Sequence, residues 1–415
     1  MASPAALGSI EYAAETNFAE VSTAFATHRI PVIGMVDASG LTWAKEDSGR
    51  VEQFRQGGSP HVLMGQGGSF TTKIDLCGHG ATTAGSPTLD AIETFLGLVI
   101  GNIALSSAAS TTLTGGTAAV PTTTASGTFS AGGLCRVGVG GIAADTRGNG
   151  QFHAIGTHVT TTLTLLTALN GAATNGDVLF PAAMIYPSET PSVGLNGTVP
   201  GLRFRLLTAN LQYACHGCYP TAVSFTGFNT GERPQITITW AVSRWDSVVA
   251  TFPSAVASNQ YNPAMVAAGS LFVADVGTSS RSGAARIYRN FSIDYTLGMV
   301  GLPGPGGVGI YQSIVGCRRT VDKIKVSWTE DADAATATPV LQGYGTGSTS
   351  KHVLWTGSVT AGSAIGIYMP KVCISSVGVQ KMDGDINRIS VEGMAYTGGT
   401  TTNDLTASAF RLGMA

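Results

Sequence analysis

The sequence predicts a mainly β protein made of two tandem β-sandwich or barrel domains, with one clear α-helix packed on the first. Three observations carry this expectation: apolar–polar alternation through most of the chain, one stretch at helical spacing, and a weak echo of the first half in the second.

Alternation is clearest in "LRFRLLTANLQYA", "PQITITWAVSRW", "KIKVSWTE" and "NRISVEGMAYT", all rich in β-branched and aromatic residues. Each such segment has one face to bury, as a half-buried strand does. The polar turns "NTGERP" at 229–234 and "MDGD" at 382–385, which hold Gly231 and Gly384, stand between alternating runs, as hairpin connections should. In "SPTLDAIETFLGLVIG" the period changes. Leu89, Ile92, Phe95 and Leu96 fall on one helical face, with Ser86 or Thr88 as N-cap, Asp90 and Glu93 early, and Gly97 and Gly101 near the end. This predicts a helix near 88–100 whose stripe packs against a sheet. The tract 106–133, "SSAASTTLTGGTAAVPTTTASGTFSAGG", has few large apolar residues and reads as a long loop.

The echo sets "AVSFTGFNTGERPQITITWAVSRW", from Ala222, against "SVGVQKMDGDINRISVEGMAYTGG", from Ser376. Earlier, "GSFTTKIDLCGHG" lines up with "RNFSIDYTLGMVG", Phe70 against Phe291 and Asp75 against Asp294. A repeat this long indicates duplicated domains, here 1–250 and 251–415.

Composition narrows function. Only 12% of residues are charged, and glycine numbers 55; a surface so poorly charged is more natural where copies of the chain cover one another. Residues 1–245 hold 11 basic and 14 acidic side chains, and 246–415 hold 12 and 11. Tight nucleic-acid binding needs a basic surplus, so no specific contact with DNA is expected. The beginning "MASPAALGSIEYAAETNFAE" lacks a basic segment followed by an apolar one, so no secretory signal is expected. "FLGLVIGNIAL" is too short to span a bilayer. Six cysteines without such a signal are expected to be reduced and mostly buried.

Candidate chemistry is sparse. "CHGC" places Cys215 and Cys218 where they could supply half of a zinc site, with Cys77 and His79 to complete it, but no second pair has recognisable spacing. A redox role needs CxxC at a helix N-terminus, and strands flank this one. There is no GxSxG elbow. "GQGGS" and "GLPGPGGVG" lack the Lys-Ser/Thr of a phosphate loop. Glu330, Asp331 and Asp333 read as a solvated acidic loop rather than a calcium site. No enzyme activity, cofactor or metal is expected.

The order "GSFTTKIDLCG", "LDAIETFLGLVIG", a long loop, "GDVLF" and "YACHGCYPTAVSFTGFNTGERPQITITWAV" resembles the tail tube proteins of long-tailed bacteriophages. It covers roughly 60–245. The residues that carry it are Phe70 to Asp75, Leu89 to Gly97 with Ile92 and Phe95, and Ala222 to Trp240. The second half matches only through its echo, and has "GVGIYQSIVGCRR" where the helix would fall. The resemblance implies two tail-tube-like domains and a structural, non-enzymatic virion protein assembled in the host cytoplasm. It implies stacked homo-oligomeric rings, three chains each if both halves line the barrel, through which tape-measure protein and then DNA pass. Tail-terminator and distal-tail proteins are the further partners implied. A fibre, decoration or other surface-binding virion protein is the alternative, and a thiol- or metal-dependent hydrolase built on "CHGC" is a third reading.

Overall fold

In a computed structural model of the chain, the residues described are 9–15, 29–34, 36–47, 61–76, 91–107, 110–124, 129–138, 151–169, 171–173, 176–187, 201–207, 211–249, 266, 269–279, 285–303, 314–319, 322–332, 344, 350–357, 364–383, 386–397 and 405–415. Among them strand dominates: a 17-stranded sheet, a closed barrel of six strands, and a ribbon of Met299–Pro303 with Ile314–Arg319. Ala91–Ile100 forms the helix.

In the first half, strands pair antiparallel in the order Leu41–Asp47, His61–Asp75, Gln235–Val249, Leu211–Thr226, Leu202–Leu207, Ser9–Ala14 and Arg29–Pro31. Alternation decides which face goes in. Phe70, Thr72 and Ile74 are buried on one strand, and Ile236, Ile238 and Trp240 on its partner. The sheet doubles back around these side chains: Phe70 and Phe204 lie on strands that do not pair, yet their rings meet edge-on at 5.5 Å. The helix packs into the same core. Ile92, Phe95, Leu96 and Val99 are buried, and Phe95 lies 4.9 Å from Tyr12 and 5.9 Å from Trp240. It ends at Gly101, whose φ of 143° starts the next strand. Leu89 and the expected N-cap residues lie outside the described residues.

The second half repeats this pattern. Tyr288–Thr296, Lys323–Ala332, Ile386–Ala395, Ile365–Asp383, Lys351–Gly357, Ser270–Asp275 and Ala285–Arg286 pair antiparallel in that order. Position for position these are the same six pairings, with strands in the same order along the chain. A bulge in each long hairpin sets the residue correspondence: register shifts between Pro220 and Ala222, and between Ile374 and Ser376. Ala222 therefore matches Ser376, as the sequence echo has it. The other half of the echo needs correction. His61–Asp75 corresponds to Lys323–Ala332, so Asp75 matches Asp331 and not Asp294. Asp75 stands opposite Gln235 and accepts from its Nε2 at 3.0 Å. Asp331 stands opposite Arg388 and accepts from its Nε at 3.3 Å. The strand carrying Phe291 takes the outer place held by Leu41–Asp47, because neighbouring strands share one alternation and the chain contains both.

The tract 106–133, expected to be one long loop, contains two strands, Thr111–Gly116 and Pro121–Thr123. With Leu134–Gly138, Phe152–Val159, Thr162–Leu165 and Val178–Pro181 they close the six-stranded barrel. Leu113, Phe129, Ile155, Leu163, Leu165 and Leu179 fill it. The barrel is rooted on two neighbouring strands, Gly101–Leu105 and Ala183–Pro187, which pair with Leu105 opposite Ala183. Its underside, Leu134, Phe152 and Ala154, packs on Phe272, Leu354 and Tyr368 of the second half. A Cβ on Gly366 would stand 2.5 Å from Cγ of Phe152, so the sheet's surface there is cut to admit the ring.

Residues 250–265, where the sequence places the domain boundary, lie outside the described residues. The two halves share one sheet and one core: Ala222–Phe225 pair with Ile293–Thr296, and Arg411–Met414 lie between Ala183–Ile185 and Ile365–Tyr368.

Candidate assembly interface

The first-half hairpin does more than turn. Its tip, 227–234, enters the second half, where Phe228 packs edge-on against Trp355 at 4.6 Å and against Phe291 at 5.3 Å. Polar bonds fix the insertion. Tyr288 Oη donates to the Phe228 carbonyl at 2.7 Å and itself accepts from Trp355 Nε1 at 2.7 Å. The Asn290 amide donates to Asn229 Oδ1 at 2.8 Å, the Gly231 amide to the Val266 carbonyl at 2.8 Å, and the Val266 amide to the Glu232 carbonyl at 2.9 Å. Burial pushes the Tyr288 phenol up to about 12, so it remains a donor at neutral pH. Gly227 and Gly231 have φ of 80° and 86°, the region that favours glycine, and a Cβ on Gly227 would collide with the Arg233 carbonyl. Gly231, expected at the turn, is there; Gly384 of the matching tip lies outside the described residues.

Behind this tip the sheet passes from one half to the other. Ala222 stands opposite Thr296, Val223 opposite Tyr295, Ser224 opposite Asp294 and Phe225 opposite Ile293. Eight strands run without a break from Leu41–Asp47 to Ile365–Asp383. At the two ends, Leu41–Asp47 and the stretch Ser376–Asp383 are each paired on one side alone among the described residues. Apart from the Leu41 amide, which donates to the Ala38 carbonyl at 3.0 Å, their outer backbone groups have no strand partner among the described residues.

The remaining candidate residues are structural in setting. Phe70 and Phe95 each contact Trp240 in the core, with Trp240 Nε1 donating to Thr72 Oγ1 at 2.9 Å, and Ile92 is buried in the same core. Cys215 and Cys218 are buried within the single strand Leu211–Thr226. Burial, then the neighbouring Cys215 and Glu15, holds the Cys218 thiol well above its ordinary range, opposite to what a nucleophile or thiolate ligand needs. Glu15 is buried too, and accepts from the Gly217 amide at 2.9 Å where the strand takes φ of 60°. Cys77 and His79 lie outside the described residues, and among the described residues no three His, Cys, Asp or Glu side chains group as metal ligands.

Glu330 and Asp331, expected on an acidic loop, are on the strand Lys323–Ala332. Glu330 is buried and accepts from Trp328 Nε1 at 2.7 Å and Tyr344 Oη at 2.6 Å, while Asp331 bonds Arg289 and Arg388. Alternation hides such a pair, because a buried carboxylate on a strand looks like a polar residue on its outer face. No helix among the described residues is long and apolar enough to cross a membrane. No protein-family model matches the chain, and no curated protein matches it.

Proposed function

We propose that the chain is a structural virion protein that self-assembles into stacked rings of a phage tail tube, through which tape-measure protein and DNA pass. One observation supports this above the others: the six pairings of the first half recur in the second, so one chain offers two equivalent positions to a ring. On this reading both halves are tail-tube-like domains and three chains complete a ring of pseudo-sixfold appearance. Contacts between chains repeat the contact between halves, as a closed ring of heterologous interfaces requires. The low charge and the absence of a basic surplus suit a lumen that DNA must traverse without sticking.

The test is a negative-stain micrograph of concentrated protein. Rings or tubes with three chains per turn are the expected result. Particles that stay monomeric, and a chain absent from virion tails, would overturn the reading. The inserted barrel favours a second reading, a decoration or fibre protein, since it stands apart from the repeated strands. Subunits that bind capsids or cells and never form tubes would favour that reading.

A further inference from the structure

We infer that the free edge of one chain at Ser376 and Val377 pairs antiparallel with the free edge of a second copy at Leu41 and Thr42, in the register the chain already uses between its own halves. The inference takes its partner from the self-assembly reading above and adds where, and in what register, the copies meet.

The stretch 222–226 of the first half has Gln235–Val249 on one side and Tyr288–Thr296 on the other. Its counterpart, from Ser376, has Ile386–Ala395 on the first side and nothing on the second among the described residues. Tyr288–Thr296, the strand that fills the second side within the chain, holds the place in the sheet order that Leu41–Asp47 holds in the first half, and no strand among the described residues pairs with the outer side of Leu41–Asp47, where the Leu41 amide donates to the Ala38 carbonyl at 3.0 Å. The chain thus ends its eight-stranded run with the two members of a pairing it has already made once, one at each end. They cannot be the same molecule's unless the run closes on itself, and successive copies satisfy both.

The register transfers residue by residue. Thr296 pairs with Lys323 and Thr42 with Gly67; Lys323 and Gly67 occupy matching places on strands aligned through Asp331 and Asp75. Thr42 therefore stands for Thr296, and Leu41 for Tyr295. Since Ser376 stands for Ala222, the new pairing sets Ser376 opposite Thr42 and Val377 opposite Leu41. Within the chain the Leu297 amide donates to the Thr221 carbonyl. The adjacent pair Ala222–Thr296 is then the closely spaced, non-hydrogen-bonded kind, with Cα atoms about 4.5 Å apart, within the span of a disulfide. Ser376 and Thr42 are both exposed.

The experiment places Thr42→Cys and Ser376→Cys together in the full chain, with Cys77 and exposed Cys373 replaced by Ser. Oxidation of assembled protein should give covalent multimers reversed by reductant, and either single cysteine alone should leave at least tenfold less. Val377→Pro, which removes an amide assigned to the open edge, should abolish assembly while the monomer's circular dichroism stays as in the parent. Rings that form without the cross-link, or that form from folded Val377→Pro, would overturn this pairing and leave the ring reading intact. Parent protein that never self-associates would overturn the ring reading and this pairing with it. A cross-link confined to single chains would show that the run closes on itself.

Discussion

The ring of Phe228 stands edge-on to the indole of Trp355, 4.6 Å between centroids, although the two residues belong to opposite halves of the sequence. A turn residue of one half is a core residue of the other.

Phe228→Ala should destabilise the whole chain by about 3–5 kcal/mol, the range for emptying a buried aromatic site. Denaturant unfolding followed by tryptophan fluorescence checks it. A loss below about 1 kcal/mol would mean that the hairpin tip is not anchored by its ring.

The strands Thr111–Gly116 and Pro121–Thr123 of the Thr/Ser/Gly tract should resist protease in free, unassembled protein. Thr111–Gly116 and Pro121–Thr123 are paired into a closed barrel, and Thr111 and Thr123 are buried. Mass spectrometry of limited digests would show first cuts elsewhere. Early cuts within 111–116 would contradict the closed barrel.

The barrel should loosen in acid. His158 Nδ1 accepts from the Phe129 amide at 3.1 Å, which places the proton on Nε2, 2.9 Å from Thr123 Oγ1. Desolvation lowers its pKa below the ordinary 6.5, so the neutral ring is the folded form. Stability from this group is fully present above pH 6.5 and is lost as pH falls through the lowered folded value. Thr123 and Phe129, which the ring meets, carry no charge to offset the added proton. Protease cleavage of the barrel as a function of pH measures the effect, and His158→Asn should remove its dependence on pH.

Replacing Cys215 and Cys218 together by Ala should cost about 1–3 kcal/mol each, as for small buried side chains, and leave assembly intact. Ser should cost more, because a buried hydroxyl needs a partner. Unfolding accompanied by release of stoichiometric metal would show that the pair is a ligand set.

The strands and helix were legible because their apolar residues recur at one fixed period: Ile236, Ile238 and Trp240 at two, Ile92, Phe95, Leu96 and Val99 at helical spacing. The barrel was not. Its core draws at most two apolar side chains from each short strand, such as Leu113 from the first and Leu179 from the last, and Thr111 and Thr123 fill inward places. No window of sequence shows that sum. The repeat was legible at its bulged hairpin, from Ala222 and Ser376, where a distinctive local shape recurs. It slipped by a strand at Phe70, where the only guides were an aromatic residue and an aspartate in alternation.

The seam between Leu105 and Ala183 has a further consequence. The chain leaves the sheet at one residue and returns at the residue directly opposite, just past which the Ser106 amide donates to the Ala182 carbonyl at 2.9 Å. A short linker could close that gap without shifting either strand, so the barrel is an exchangeable cassette as far as backbone geometry goes. What ties it in place is its underside, Phe152 above all, seated over Gly366 and against Leu134 and Tyr368. Any foreign sequence spliced there would have to bring its own greasy footprint, or the exposed sheet would have to be repainted with polar residues.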